Sequence, residues 1–295
     1  MRALPQLAWQ LARATVVGFF DDGAMRKAAA LSYYTLFSLA PLLIISIAIA
    51  GAVFGAEAAR GEIIAQVHGL VGKDAATAIE GMLQNASEPS ATAWAAIIGL
   101  STLAFGATTA FAELKQSLDD IWEFPSEKAS GLWYTLRTRL LSFGVIVSIG
   151  FLLLVSLVFS AAVSALQRMW LLTETAGVLL QVTNFVFSFV LVAAMFAMLY
   201  KLLPSVKIAW YDVIIGSIVT ALLFTIGKFF IGLYLGNSAV TSSYGAAGAI
   251  ILILLWVYYS SVIFLIGAEF TKAFARRHGS HAPSQPGPSP GAEMS

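Results

Sequence analysis

VIIGSIVTALLFTIGKFFIGLYL (Val213–Leu235) and GAAGAIILILLWVYYSSVIFLIGA (Gly245–Ala268) are the two apolar runs that decide the fold of this chain. Each run has more than 20 residues, and a helix of that length crosses about 30 Å of hydrocarbon. The short polar turn Gly236–Tyr244 joins them. We therefore predict two adjacent transmembrane helices, around which the rest of an all-α membrane protein is arranged.

The overall composition is also that of a polytopic membrane protein. Of the 295 residues, 59% are hydrophobic and only 11% are charged, whereas soluble domains carry about 25% charged residues. The chain has no cysteine, which excludes disulfides, thiolate nucleophiles and cysteine metal sites. No compact apolar core with a small-residue cleavage site opens the chain, so the first span is predicted to be an uncleaved insertion signal.

Further apolar runs complete a prediction of six transmembrane helices. The spans are predicted at about 33–54, 91–111, 140–163, 178–203, 211–235 and 245–269. Residues 24–275 thus form a transmembrane domain, with an extracytoplasmic helical hairpin at 56–90 between its first two spans. The loop 112–139 carries an amphipathic helix ended by Pro125. The Pro/Ser/Gly-rich tail, 276–295, is predicted to be disordered because it cannot bury apolar surface.

The distribution of lysine and arginine orients the predicted spans. With six spans, both termini lie on the same side of the membrane. Of the 17 lysines and arginines, 13 fall on that side, three on the other side and one, Lys228, inside a span. Because cytoplasmic loops carry the excess of these residues, we predict that both termini are cytoplasmic.

The first 23 residues predict an amphipathic helix. Its apolar face contains Leu4, Leu7, Ala8, Leu11 and Gly18, with Trp9 near the edge of that face. Two interpretations stay open, and they are compatible: the helix lies in the plane of the membrane interface, or it packs on the cytoplasmic face of the bundle. The following sequence Asp21-Asp22-Gly23 predicts a turn and a helix cap.

Several ordered motifs resemble those of one bacterial family. They are ALSYYTLFSLAPLL (Ala30–Leu43), LKQSLDDIWE (Leu114–Glu123), the segment Leu203–Leu235 and the segment Tyr244–Phe270. In combination and spacing they resemble the YihY/BrkB family of inner-membrane proteins, historically labelled ribonuclease BN. The resemblance covers about residues 10–275. It implies six spans and a location in the bacterial cytoplasmic membrane, but no secure biochemical activity.

The residues themselves argue against the ribonuclease label and against other catalysis. A metal-dependent nuclease needs converging carboxylates or histidines, but His278 and His281 lie in the tail and His68 in the outer loop. Asp119, Asp120 and Glu123 are expected on the solvated face of an amphipathic helix. No Walker-type loop or serine triad is present, and no basic surface with stacking aromatics predicts nucleic-acid binding. We predict no enzyme activity, metal or cofactor.

Lys228 is the first candidate for a functional residue, because a charge at membrane depth is costly unless it faces protein or water. It lies in the outer half of the fifth span, about 25 Å from the cytoplasmic end. Either it snorkels to the outer interface, or it lines a cavity and binds an anionic headgroup or phosphate. Asn184 is a neighbour at similar depth, and Tyr234 and Tyr244 are further candidates for substrate binding.

Glu269 and a set of helix breakers are candidates for gating or structural roles. Glu269 ends the sixth span, either in a rim ion pair with Lys201, Lys272 or Arg26, or as a cytoplasmic gate or proton-linked carboxylate. In the first span Pro41 predicts a kink, and Tyr34 is one of the hydroxyl residues that can bond the freed carbonyls. Small residues of the fifth span allow close packing or act as hinges; they are Gly227, Gly232 and Gly236.

These features favour a protein that moves or binds an amphipathic or anionic envelope substrate, such as a lipid or lipid-linked molecule, as a transporter or flippase-like conduit. The alternative is a scaffold that does not transport and that binds envelope-assembly partners. An intramembrane enzyme is the third class and would require convergent catalytic groups at membrane depth. Membrane lipids are the expected partners, nucleic acid is not, and the sequence leaves the oligomeric state open.

Overall fold

The computed structural model describes residues 3–55, 109–125, 174–237 and 246–279, together with isolated positions between 57 and 81. All regular structure in these residues is α-helical, as predicted. We number the described helices in chain order: α1 (Ala3–Asp21), α2 (Ala24–Phe54), α3 (residues 109–121), α4 (Glu174–Leu202), α5 (Trp210–Asn237) and α6 (Ala246–His278).

Three of the predicted spans coincide with helices that are long and apolar enough to cross a membrane. These stretches are Val182–Leu202 in α4, Trp210–Ile231 in α5 and Ile250–Arg277 in α6. Helix α2 begins at Ala24 and contains the predicted first span. The predicted span 140–163 and the tail beyond residue 279 lie outside the described residues, as do most of the span 91–111 and of the hairpin 56–90. Six spans and cytoplasmic termini therefore stay predictions.

Helix α6 is the central element of the described bundle. It packs against α1, α2 and α5, while α5 also packs against α4. An aromatic cluster fills the space between α4, α5 and α6, where Phe196, Tyr200 and Phe264 have ring centroids 5.1 to 6.3 Å apart. The Tyr200 hydroxyl donates to the Phe264 carbonyl oxygen at 2.7 Å. This bond satisfies the one polar group that the buried tyrosine brings into the cluster.

Helices α5 and α6 interlock through two reciprocal glycine–threonine contacts. Each helix carries a glycine followed four residues later by a threonine, Gly216 and Thr220 on α5 and Gly267 and Thr271 on α6. Thr271 lies against Gly216, and Thr220 lies against Gly267. Each threonine hydroxyl also donates at 2.7 Å to the carbonyl oxygen of the glycine on its own helix. Small residues thus let the two backbones approach closely, as in other membrane helix pairs.

A third close approach involves Gly227, farther along α5. The ring of Tyr259 lies directly against it, and Ile263 Cδ1 lies 3.0 Å from the position that a Cβ would occupy. The packing interpretation of this glycine is therefore supported. Gly232 and Gly236 lie on α5, and Pro41 lies within the continuous helix α2. The side-chain surroundings of these three positions lie outside the described part of the structure.

Helix α1 packs onto the bundle and also presents an apolar outer face. Leu11 and Phe19 are buried, and the helix contacts α6 and α2. Trp9, Val16 and Phe20 are exposed on the opposite side. The burial of Leu11 and Phe19 supports the interpretation that the amphipathic helix packs on the bundle. The exposed side chains form an apolar surface of the kind that an interfacial helix presents to lipid.

The turn between α1 and α2 is present as predicted, and the predicted helix cap is formed by the backbone of Gly23 rather than by an aspartate side chain. The N-cap residue of α2 is Gly23, whose φ of 61° places it in the left-handed region, and no described side chain caps the helix. Glycine adopts this conformation at little cost because it lacks a Cβ. Asp22 is instead directed to α6, where it accepts a hydrogen bond from Lys272.

Candidate functional site

A junction of charged side chains forms where α1, α2 and α6 meet the carboxyl end of α3. Lys272 has its ammonium 3.2 Å from both Asp22 and Glu123. Arg276 binds Glu123 at 2.8 Å, and Lys27 binds Asp120 at 3.0 Å. Together with Glu269 these residues form what we name the charged junction: Asp22, Lys27, Asp120, Glu123, Glu269, Lys272 and Arg276.

Glu269 is the most deeply buried carboxylate of the charged junction. Glu269 is 2% exposed, and among the described residues its Oε1 atom has no hydrogen-bond partner. Its charged neighbours are Asp22, Lys272 and Lys27. A buried polar atom without a partner costs free energy comparable to a lost hydrogen bond. Such an atom therefore calls for an explanation beyond packing.

The backbone of α1 makes room for the Glu269 carboxylate at Gly18. A Cβ at this position would lie 2.5 Å from Glu269 Oε2 and 3.1 Å from Cδ. No side chain larger than hydrogen fits there without displacing the carboxylate. Gly18 thus lets α1 lie directly over Glu269.

The described ion pairs do not include the predicted rim pair of Glu269. Lys272 binds Asp22 and Glu123 instead. Lys201 donates to the carbonyl oxygen of Ile208 and lies 5.2 Å from the centroid of the Trp210 ring. The carboxylate is covered by α1 rather than placed at an open rim, so its alternative role as a gate or proton-linked group stays a prediction.

The end of α3 places Glu123 in an uncommon backbone conformation. The amide of Glu123 donates to the Asp120 carbonyl, and the amide of Phe124 donates to the Asp119 carbonyl, at 3.0 and 2.9 Å. This hydrogen-bond pattern ends a helix with a left-handed residue that is usually glycine. Glu123 fills that position with a φ of 54°. Hydrogen bonds from Arg276 and Lys272 lower the pKa of its carboxyl group to about 2.

A second polar contact ties α3 to the segment between α4 and α5, and it corrects one expectation. The amide of Ser205 donates to Asp119 Oδ1 at 2.6 Å, and Lys115 binds Asp119 Oδ2 at 2.7 Å. Asp119 and Lys115 are 13% and 10% exposed. The solvated face predicted for this helix is therefore wrong at Asp119, while Asp120 and Glu123 are about half exposed.

Lys228, the candidate cation of the fifth span, is exposed on the surface of α5. The neighbouring Phe229 and Phe230 are 69% and 63% exposed. Asn184 on α4 is half-buried and its Oδ1 atom has no hydrogen-bond partner within the described part of the chain. No hydrogen bond or ion pair between Lys228 and Asn184 is present in that part. The structure thus places the two candidates on adjacent helices without bringing them together.

The other predicted site residues are placed less fully. Tyr34 packs edge to face against Tyr33 on α2, with ring centroids 5.7 Å apart. Tyr234 lies on α5, but its side-chain surroundings lie outside the described residues, and so does Tyr244. Among the described residues, no group of three or more histidine, aspartate or glutamate side chains is arranged to hold a metal ion.

Sequence reasoning missed the charged junction, although two of its signals were visible. Gly18 falls on the predicted apolar face of α1, where a glycine marks a close approach. Asp22 belongs to the sequence Asp21-Asp22-Gly23, which predicted only a local turn and helix cap. Its partner Lys272 lies 250 residues away, and no local pattern predicts that pairing.

Comparisons with known proteins place the chain in a family of membrane proteins. The family model described as "Virulence factor BrkB" matches residues 15–292. The chain is similar to the UPF0761 membrane protein of Alkalilimnicola ehrlichii, with 28% identity over 87% of this chain and 56% of the relative. It is 29% identical to a UPF0761 membrane protein of Rhodospirillum centenum, over 88% of this chain and 56% of the relative.

A shorter relative matches over most of its length. The UPF0761 membrane protein of Pseudoalteromonas atlantica is 27% identical over 85% of this chain and 81% of the relative. The chain spans little more than half the length of the first two relatives. No solved structure matches the chain.

Proposed function

Since the chain belongs to the BrkB virulence factor family of membrane proteins, we propose that it moves or binds an amphipathic, anionic envelope lipid across the bacterial inner membrane as a flippase-like conduit. One observation carries the proposal. Lys228 is an exposed cation on a candidate transmembrane helix, beside the exposed rings of Phe229 and Phe230. A molecule with an anionic head and an apolar chain has the chemistry to satisfy both.

The exposed position of Lys228 favours a lipid-facing groove over the enclosed cavity that the sequence also allowed. The preceding residue, Gly227, packs against Tyr259 of α6, so the interior side of α5 is filled at this level. An anionic headgroup would therefore approach Lys228 from the membrane side. Asn184, on the adjacent α4, has a buried amide oxygen without a partner in the described part of the chain, and this oxygen could accept a hydrogen bond from the same substrate.

Lipid movement in vesicles tests this proposal. The full-length protein is reconstituted with fluorescent phosphatidylglycerol, and movement between leaflets is followed by chemical quenching of the outer-leaflet dye. A basic side chain near an anionic surface contributes about 1 kcal/mol, which corresponds to about a fivefold change. We expect Lys228→Ala to slow movement about fivefold or more, and Lys228→Arg to retain most of it.

The matched control is Lys207→Ala, which removes another exposed lysine, one that lies outside the candidate spans. This variant should leave the rate of lipid movement unchanged. Empty vesicles, which contain no protein, give the background rate. If the Lys228→Ala protein moves phosphatidylglycerol as fast as the wild-type protein, the binding role of Lys228 is refuted. It would leave the lysine as an interfacial anchor that snorkels to the headgroup region.

A scaffold function is supported by a different observation, the reciprocal contacts between α5 and α6. These helices are locked through two glycine–threonine pairs, which suits a static platform for envelope-assembly partners. The lipid assay separates the two functions, because a scaffold leaves the leaflet distribution of the dye at the level of empty vesicles. Neither function requires catalytic chemistry.

A further inference from the structure

Helix α1 presents an exposed apolar face with one arginine in it. Trp9, Val16 and Phe20 are 71%, 54% and 64% exposed, and their spacing of seven and four residues places them on one side of the helix. Arg13, four residues after Trp9, is exposed on the same side. We name these four residues the outer face of α1. The opposite side of the helix packs on the bundle, which holds the outer face away from it.

The contacts of α1 with α6 place the outer face at the end of a candidate span. Gln10 accepts a hydrogen bond from Arg277, and Gly18 lies against Glu269. Both partners belong to the last part of the candidate span Ile250–Arg277. A count of about 20 residues from Ile250, which is enough to cross the hydrocarbon, ends near Glu269. The outer face of α1 thus falls at the level expected for lipid headgroups.

Helix α2 repeats the pattern directly after the turn. Tyr33 and Phe37 are each 56% exposed, and their ring centroids lie 5.0 Å apart. Arg26 lies seven residues before Tyr33, is exposed on the same side of the helix, and has its guanidinium beside Gly23 of the turn. We name Arg26, Tyr33 and Phe37 the aromatic side of α2. On both helices, an exposed arginine therefore shares one side with exposed aromatic rings.

The guanidinium groups of Arg13 and Arg26 differ from other cations at this end of the bundle. Lys27, Lys272 and Arg276 each bind a carboxylate. Neither Arg13 nor Arg26 forms a side-chain hydrogen bond or an ion pair with another described residue. A guanidinium fits two oxygens of a phosphate, and aromatic rings favour the boundary between hydrocarbon and headgroups. This combination matches a lipid with a negatively charged headgroup.

We infer that the outer face of α1 and the aromatic side of α2 form a binding surface for anionic lipid of the adjacent leaflet. The apolar and aromatic side chains contact the upper acyl chains, and Arg13 and Arg26 bind headgroup phosphates. Helix α1 then performs two roles at once, because its opposite side stays packed on the bundle. The surface does not involve Lys228, so it does not rest on the proposed function.

Single-cysteine labelling tests the surface in the full-length protein, which has no cysteine of its own. Phe20→Cys and Asp21→Cys each carry a bimane dye at an exposed position, the first on the outer face and the second about 100° further around the helix. The labelled proteins are placed in lipid nanodiscs. Brominated lipids quench the dye from the membrane, and iodide quenches it from water. We expect brominated lipid to quench the dye at position 20, and iodide to quench the dye at position 21.

Lipid selectivity tests the two arginines. With the dye at position 20, brominated phosphatidylglycerol should quench more than an equal fraction of brominated phosphatidylcholine. Arg13→Ala and Arg26→Ala should each lower the relative affinity for phosphatidylglycerol by up to about fivefold. The matched control is Arg277→Ala, which removes an exposed arginine at the same end of the bundle that is bound to Gln10. It should leave the selectivity unchanged.

Three results would overturn the inference. If iodide but not brominated lipid quenches the dye at position 20, the outer face meets water. If neither quencher reaches this dye, the face is covered by protein, such as a second copy of the chain. If both brominated lipids quench equally, and the arginine variants change nothing, the surface does not select an anionic headgroup. None of these results affects the movement of phosphatidylglycerol through Lys228, so the two proposals fail separately.

Discussion

Gly216→Ala provides the sharpest test of the contact between α5 and α6, because all three atoms nearest to the added Cβ belong to one residue. The new methyl group would meet Thr271 Oγ1, and would lie 2.9 Å from Thr271 Cβ and 3.0 Å from Cγ2. Overpacking of this kind costs about 1–3 kcal/mol. Replacing a helical glycine with alanine returns about 0.5–1 kcal/mol. We therefore expect a net loss of about 1–2 kcal/mol in the free energy of unfolding.

The assay is equilibrium unfolding of the purified protein in mixed micelles, with a double-mutant cycle. Thr271→Ala removes Oγ1 and Cγ2, two of the three atoms that the new methyl group meets. In that background Gly216→Ala should lose much less stability than in wild type, which gives a coupling energy of about 0.5 kcal/mol or more. Gly61→Ala is the control, since no described atom lies within 4 Å of its added Cβ, and it should be neutral or slightly stabilising.

Two results would contradict this reasoning. One is a Gly216→Ala protein as stable as Gly61→Ala, which would mean that α5 and α6 are not in close contact at this level. The other is a strictly additive cycle, which would mean that the lost stability does not arise from Thr271.

Two further predictions concern single side chains. Because the pKa of Glu123 is lowered to about 2 from an ordinary 4.5, its ion pairs stabilise the fold above about pH 4.5, and that stability is lost as the pH falls towards about 2. Thermal unfolding of wild type and Glu123→Gln, measured over a pH series, should show a stability difference that shrinks over that interval. Salt should also reduce this difference, since Glu123 is 58% exposed. A stability difference that does not depend on pH would contradict the assignment. Tyr200→Phe removes hydrogen bonds to Thr220 and the Phe264 carbonyl and should cost about 1–2 kcal/mol in the free energy of unfolding. Tyr211→Phe at a position 64% exposed should cost little, and equal losses in the two variants would show that the buried hydroxyl contributes nothing.

The transmembrane helices were predictable because hydrocarbon imposes a strong and local constraint on sequence. The two apolar runs quoted at the outset correspond to α5 and α6, and the start of α2 at Ala24 follows from the turn glycine before it. Length and hydropathy are sufficient for such assignments, since every residue of a span contributes to the same signal.

The charged junction was not predictable in the same way, because its pairings are distant in sequence. Whether Asp119 faces solvent depends on Ser205, which lies 86 residues later. The burial of Glu269 depends on Gly18 at the opposite end of the chain. A helical periodicity indicates which face of one helix is polar, but it does not indicate which other helix covers that face.

The paired Gly-x-x-x-Thr motifs of α5 and α6 have a consequence for how the protein can move. Sliding one helix past the other by a single turn, about 5.4 Å, would bring Thr271 against Thr220 in one direction and Gly267 against Gly216 in the other. In the first arrangement the two threonine side chains collide, and in the second a void is left between the glycines. Sliding is therefore unfavourable in either direction. Helices α5 and α6 therefore move as one rigid unit. Any opening of the bundle has to occur where this unit contacts α1, α2 and α4.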